Sequence, residues 1–145
     1  MRAFPAGFFL ALSLISAQAQ AAPLTLGCSG IVTSRQISKH GIPGEPEKKD
    51  VMGMSIVVDF DQRTLAGFWT EEDGVHNALP ITEFDANSVS FHGTKGNKDS
   101  ILFFIDGTVD RITGKVDANE TWYWRSGGQS FVVWDLQCKP TKPIF

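Results

Sequence analysis

Eight short segments of alternating apolar and polar residues follow one another along this chain, and beyond the first 21 residues no segment has the period of a helix. In the second segment, Met54, Ile56 and Val58 are interrupted by polar Ser55 and Asp59. Successive side chains of a strand point to opposite faces, so this pattern predicts strands with one buried face. We therefore expect an all-β, antiparallel domain of sequential hairpins. The predicted strands are 24–33, 51–60, 64–70, 78–84, 88–93, 100–110, 115–124 and 130–138.

The first 21 residues have a different character from the rest of the chain. Arg2 provides a positive start, an apolar run covers Phe8 to Ile15, and small residues end the segment at Ala21. This order is typical of a signal peptide that is removed on export. We therefore expect a secreted or periplasmic protein whose mature domain is 22–145, with no membrane span. The mature domain loses one of the 13 basic residues and none of the 16 acidic ones, so its formal charge is -4. That charge argues against nucleic acid as a partner.

The chain has only two cysteines, Cys28 and Cys138. An oxidising compartment favours joining them, and each shares its parity with the apolar residues of its own strand. A disulfide needs Cα atoms within about 7 Å, so the first and last strands should be neighbours. That arrangement predicts a closed up-and-down β-barrel of about eight strands. A two-sheet β-sandwich is the alternative fold, and two free buried thiols are the alternative state of the cysteines.

The connections between several predicted strands are short enough to set the strand register. The loops are 61–63, 111–114 and a segment around Gly127 and Gly128. Residues that flank a tight hairpin loop lie opposite each other, and the rest of the ladder follows from that pair. The predicted flanking pairs are Phe60 with Thr64, Asp110 with Lys115, and Trp124 with Ser130.

These registers place one carboxylate, Glu120, on the inner face of the barrel. Ile105 lies opposite Glu120, and Trp122 and Trp134 lie beside it. Burying an unpaired charge costs several kcal/mol, so Glu120 should find a hydrogen-bonding partner or take a raised pKa. Two interpretations remain open. Glu120 is either a satisfied structural carboxylate or the polar anchor of a ligand pocket formed by Glu120, Trp122, Trp134 and Ile105.

The same registers predict an apolar patch on the outer face, because the sixth strand is apolar on both faces. The patch consists of Leu102, Phe104, Tyr123, Phe131 and Val133. A contiguous exposed patch is typical of an interaction site, unless the chain itself covers it. Two segments are candidates for such a cover, the C-terminal tail 139–145 and a long loop predicted at 34–50. A loop of that length is either a solvated insertion or a functional segment.

No motif for catalysis or for a cofactor is found. The chain lacks G-x-S-x-G and the glycine-rich phosphate loops. Its histidines, His40, His76 and His92, fall on two loops and a strand, and the acidic run 71–73 lacks the spacing of a calcium loop. We therefore expect no catalytic residue, no metal and no cofactor.

Three stretches near the two ends of the mature chain carry a resemblance. They are Leu24–Cys28, Asp106–Gly114 and Trp134–Pro140. They resemble a family of small exported alphaproteobacterial proteins to which no activity is assigned, so the resemblance implies export and no site residue. In architecture alone, the chain is similar to periplasmic inhibitors of lysozyme or of metalloproteases, which are small exported β-barrels.

The expected function is inhibitor-like binding of an envelope or extracellular protein through the outer patch and the long loop. The first alternative is a carrier that holds a small apolar ligand inside the barrel near Glu120. An enzyme of unknown chemistry is the second alternative. A barrel interior filled completely by Phe and Trp side chains would exclude the carrier.

Overall fold

A computed structural model describes residues 22–68, 78–96 and 102–141, which form strands and no helix. Each strand is antiparallel to the next, and β1 also pairs with β8, so the sheet closes into a barrel in the order β1 to β8. This confirms the predicted eight-stranded, all-β barrel. The strands are β1 (Leu24–Ile37), β2 (Glu47–Asp59), β3 (Thr64–Ala66), β4 (Leu79–Phe84), β5 (Ser88–Lys95), β6 (Leu102–Asp110), β7 (Lys115–Tyr123) and β8 (Gln129–Pro140).

Several sequence predictions fall outside the described residues. They are the signal peptide 1–21, the acidic run 71–73, His76, and tail residues 142–145.

The predicted loop 34–50 is wrong in length. Strand β1 continues to Ile37, β2 begins at Glu47, and Ser34 lies opposite Glu47 in the ladder. Only 38–46 connects the two strands, and within it Pro43 forms a bridge with Ile37. These strand ends are polar and are held by backbone pairing rather than by burial, so they show no apolar alternation that sequence reasoning could detect.

The core fills the end of the barrel where β1 begins and β8 ends. Phe68 stacks on Phe91 with ring centroids 5.3 Å apart, and it meets Trp134 edge-on at 5.5 Å. Large side chains from many strands thus interdigitate and exclude water there. The largest fully buried side chains are Phe68, Phe91, Phe103, Ile56, Leu65, Ile105, Leu136, Val58, Val89 and Val116.

A disulfide joins the first and last strands. Cys28 lies opposite Cys138 in the β1–β8 ladder, and their Cα atoms are 4.1 Å apart. This confirms that the two strands are neighbours. Close by, β1 shifts register against β2 between Cys28 and Gly30. A Cβ atom at Gly30 would collide with the carbonyl oxygen of Asp135, so the close approach of β1 to β8 requires glycine at that position.

The β7–β8 hairpin differs from its predicted register by two residues. Trp122, rather than Trp124, lies opposite Ser130, whereas the predicted β6–β7 register is confirmed by Ile105 opposite Glu120. The turn is tighter than expected, because the Gly127 amide donates to the Trp124 carbonyl. A shift of two residues preserves the face of every side chain, so Glu120 still points inward.

The β2–β3 hairpin differs by one residue, which reverses the faces of β3. Asp59 lies opposite Thr64, and Arg63 closes the turn with a left-handed φ of 54°. Leu65, rather than Ala66, therefore enters the core. Gly67, with a φ of 133°, then interrupts the alternation, and Phe68 is buried as well.

Candidate functional site

A buried carboxylate is the most unusual polar group inside the barrel. Glu120 is only 3% exposed. Its Oε1 accepts a hydrogen bond from Nε1 of Trp134 at 2.8 Å, and its Oε2 accepts one from Nε1 of Trp122 at 3.2 Å. An indole N–H can only donate, so both carboxylate oxygens act as acceptors here. The ion pairs between described residues do not include Glu120.

Burial controls the protonation of this carboxyl group. Desolvation raises the pKa of Glu120 from 4.5 to about 7, although the hydrogen bonds from Trp122 and Trp134 act in the opposite direction. Two neutral donors do not replace the water that a carboxylate loses on burial, so desolvation dominates. Glu120 therefore changes its protonation state near neutral pH, where it can serve a ligand either as an acceptor or as a donor.

A cavity of about 880 Å³ lies beside Glu120, between β1, β2, β7 and β8. Its volume is in the range of about 300–1,000 Å³ that is typical of small-molecule sites. The lining combines inward-facing residues such as Glu120 and Trp134 with Val57 and Ala66 on the outer face of β2 and β3, so part of this volume lies inside the barrel and part lies outside it. Described residues that line the cavity are Val32, Ser34, Lys49, Asp50, Val51, Met52, Gly53, Met54, Ser55, Val57, Ala66, Gly67, Glu120, Trp122, Val132 and Trp134.

The cavity follows one edge of β2. Residues 47–56 of β2 lie beyond the short β2–β3 ladder, which covers only Val57 to Asp59. Within the described ranges this part of β2 pairs with β1 on one side and has no ladder partner on the other. The described lining includes residues 49–55 of β2, so the cavity borders this edge of the strand.

Three of the four residues predicted for the pocket line the cavity together. Glu120, Trp122 and Trp134 do so, whereas Ile105 is fully buried on β6 and is not among the described lining residues. Sequence reasoning did not assign Val32 and Val132 to the site. Their inward parity, shared with Cys28 and Trp134, was a usable signal.

The outer patch is present, with a corrected register on β8. Phe131 lies opposite Thr121, and Val133 opposite Asn119, so the predicted partners of both residues are wrong by two positions because of the tighter turn. On β6 and β7 the predicted pairing of Leu102 with Tyr123 is confirmed. The rings of Phe104 and Tyr123 meet edge-on at 6.0 Å.

The β8 side of the outer patch is open to solvent. Tyr123, Phe131 and Val133 are 40%, 37% and 47% exposed, while Leu102 and Phe104 are half-buried. The described part of the tail ends at Thr141, whose amide donates to the carbonyl of Thr25. That contact lies at the opposite end of β8 from Phe131, so the tail through Thr141 does not cover the patch.

A second polar cluster lies on the outside of β5 and β6. Nδ1 of His92 is 2.6 Å from Oδ1 of Asp106, and its Nε2 is 3.2 Å from the hydroxyl of Thr94. A hydroxyl, an imidazole and a carboxylate occur in the same order in hydrolase triads. All three side chains are exposed, so the cluster lacks the desolvated setting that stabilises an oxyanion. In the described ranges, no three His, Cys, Asp or Glu side chains are grouped as a metal site.

Comparison with known proteins finds no match: no family model, no curated protein and no solved structure resembles the chain. The described ranges contain no helix that is long and apolar enough to cross a membrane. The Cys28–Cys138 disulfide is compatible with a non-cytoplasmic protein. The geometry of the cavity is thus the basis on which a function can be argued.

Proposed function

We propose that this protein binds a small, largely apolar ligand inside the barrel, with Glu120 as the polar anchor. The observation that supports this is a buried carboxylate that lines a cavity of about 880 Å³ and accepts hydrogen bonds from two neutral indole groups. Burying such a group and leaving such a space both cost stability. A ligand that fills the cavity and contacts the carboxyl group would offset both costs.

The lining has the composition of a ligand site. Val32, Met54 and Val132 contribute apolar surface, and Trp122 and Trp134 contribute aromatic surface, whereas few polar groups enter. Sites for small molecules are mostly apolar with a small number of orienting polar groups.

Filling the cavity should abolish binding of a neutral aromatic probe. We expect N-phenylnaphthylamine to bind the wild type with an increase in fluorescence, and Val132→Trp to remove that increase because the new ring occupies the cavity. Val133→Trp is the matched control, since Val133 is the next residue on β8 and is exposed on the outer face. Equal probe binding by both variants, or none by the wild type, would contradict the proposal.

Binding of an envelope or extracellular protein through the outer patch is the second candidate. It is supported by the exposed apolar side chains of Tyr123, Phe131 and Val133, which share the outer face of β7 and β8. Patches of this kind usually mark interaction sites. Secretion, or location in the periplasm, belongs to the same proposal and rests on the composition of residues 1–21.

Introducing charges into the outer patch should abolish binding of a partner protein without changing the cavity. We expect the wild type to capture a protein from periplasmic extract, and the Tyr123→Glu, Phe131→Glu double variant to lose it because a charged surface cannot be buried against an apolar one. Ile112→Glu is the control, since Ile112 is exposed on the β6–β7 turn, at the other end of both strands. The same captured proteins in all three samples would count against the patch.

A further inference from the structure

We propose that the ligand of this cavity is an organic cation, an amine or a quaternary ammonium with an apolar body, whose charged nitrogen lies against Glu120. This inference rests on the proposed ligand-binding function and adds the chemical class of the ligand. It follows from the charges and hydrogen-bond donors that surround the carboxylate.

The described neighbours of Glu120 provide no positive charge. Strand β6 places Ile105 opposite it, and β8 contributes Val132 and Trp134. Trp122 is the residue before the last of β7, and it also donates a neutral N–H to Glu120. Among the described residues, an ionised carboxylate in this position therefore lacks the counter-ion that buried charges normally have.

The charged groups elsewhere in the cavity lining do not supply that counter-ion. Strand β2 contributes Lys49 and Asp50, and β1 contributes the neutral Ser34. Nζ of Lys49 is exposed and lies 3.1 Å from Oε1 of Glu47, so its charge is balanced at the rim. Asp50 lies on the outer face of β2, so Glu120 is the charge that this ion pair leaves unbalanced among the described inward-facing residues of the lining, and its negative charge favours a cationic ligand.

The two indoles leave the carboxylate able to accept a further contact. Trp134 donates one N–H to Oε1 and Trp122 donates one to Oε2, whereas an ionised carboxylate has about four acceptor positions. A cationic nitrogen can therefore approach Glu120 without displacing either tryptophan. An anion would be repelled by Glu120, and a neutral alcohol would gain only a hydrogen bond.

Three probes with the same aromatic body and different charge test the inference. They are naphthylethylamine, naphthylethanol and naphthylpropionate, titrated calorimetrically into the protein at about pH 8, where Glu120 is ionised and the amine is protonated. We expect the amine to bind at least about tenfold more tightly than the alcohol, and the carboxylate probe not to bind measurably.

Glu120→Gln separates the role of charge from that of shape. The variant keeps the size of the side chain, and we expect the affinity for the amine to fall to that of the alcohol, which itself changes little. Glu83→Gln is the matched control: it is the same substitution at an exposed glutamate of β4 that does not line the cavity, and it should preserve the preference for the amine.

The pH dependence of the wild type gives the same information if Glu120→Gln does not fold. Burial raises the pKa of Glu120 to about 7, so acidification neutralises the carboxylate while the amine stays charged. The affinity for the amine should then fall about 30-fold from about pH 8 to about pH 5.5, and that for the alcohol should not.

The outcomes separate the two proposals. If the alcohol binds as tightly as the amine, with no effect of Glu120→Gln or of pH, the inference of a cationic ligand is wrong, and the proposal of ligand binding stands. If neither the three probes nor N-phenylnaphthylamine binds, the proposal of ligand binding is wrong, and the inference of a cationic ligand is wrong with it.

Discussion

Removing the Cys28–Cys138 disulfide is expected to lower the free energy of unfolding by about 4 to 5 kcal/mol and to leave the barrel folded. The bridge spans 110 residues, nearly the whole domain, so it restricts the unfolded chain strongly. In the folded state, β1 and β8 are also held by a continuous ladder, Leu26–Ile37 with Gln129–Pro140. The pairing of β1 with β8 should therefore persist without the disulfide, and the loss of stability should arise mainly from the greater freedom of the unfolded chain.

Urea unfolding of the oxidised protein, the reduced protein and the Cys28→Ala, Cys138→Ala variant measures this effect. The free energy of unfolding of a small domain is about 5–15 kcal/mol in total, so the predicted loss is a large part of the stability. The denaturant dependence should steepen, because the unfolded chain without the bridge exposes more surface. Reductant should have no effect on the double variant. A loss below about 1 kcal/mol would show that the bridge is dispensable.

Raising the pH through the window from 4.5 to 7 is expected to remove about 3 kcal/mol of stability through Glu120 alone. Burial raises the pKa of Glu120 to about 7 in the folded state, while the unfolded chain keeps the ordinary value of 4.5. In that window the folded protein binds a proton that the unfolded chain releases. The favourable contribution is therefore complete below pH 4.5 and is lost as the pH rises through 7.

The difference in unfolding free energy between wild type and Glu120→Gln, followed against pH, isolates this contribution. The wild type should lose stability relative to the variant as the pH rises through the window, and the difference should then become constant. Asp85 and Asp110 do not interfere, because backbone N–H donors hold the pKa of each carboxyl below 3.8. A difference that does not change with pH would mean that Glu120 keeps its ordinary pKa.

A bound cation should reduce this pH effect. An ammonium group beside Glu120 stabilises the ionised carboxylate and lowers its pKa, so the ligand-bound protein should lose less stability on raising the pH. The pH dependence of folding and the proposed ligand class thus involve the same side chain.

The two incorrect hairpin registers show that the sequence of a short turn does not by itself determine the register of its strands. At β7–β8 the error is two residues, so Glu120, Trp122 and Trp134 keep their faces, and the site survives. At β2–β3 the error is one residue, and Leu65 replaces Ala66 in the core. The type of each turn depends on one residue with a left-handed φ, which is Arg63 in the β2–β3 turn and Gly127 in the β7–β8 turn. Which residue adopts that φ depends on how the flanking strands pack.

By itself the sequence determined the eight strands, the inner face of each long strand and the neighbouring positions of β1 and β8. These features follow from period-two alternation and from one cysteine pair, and both are local or pairwise properties of the chain. Only the tertiary structure decided the length of the β1–β2 connection, the one-residue shift of the β2–β3 register and the cavity beside Glu120. An empty space depends on how the side chains of several strands fill a common volume, and no single strand carries that information.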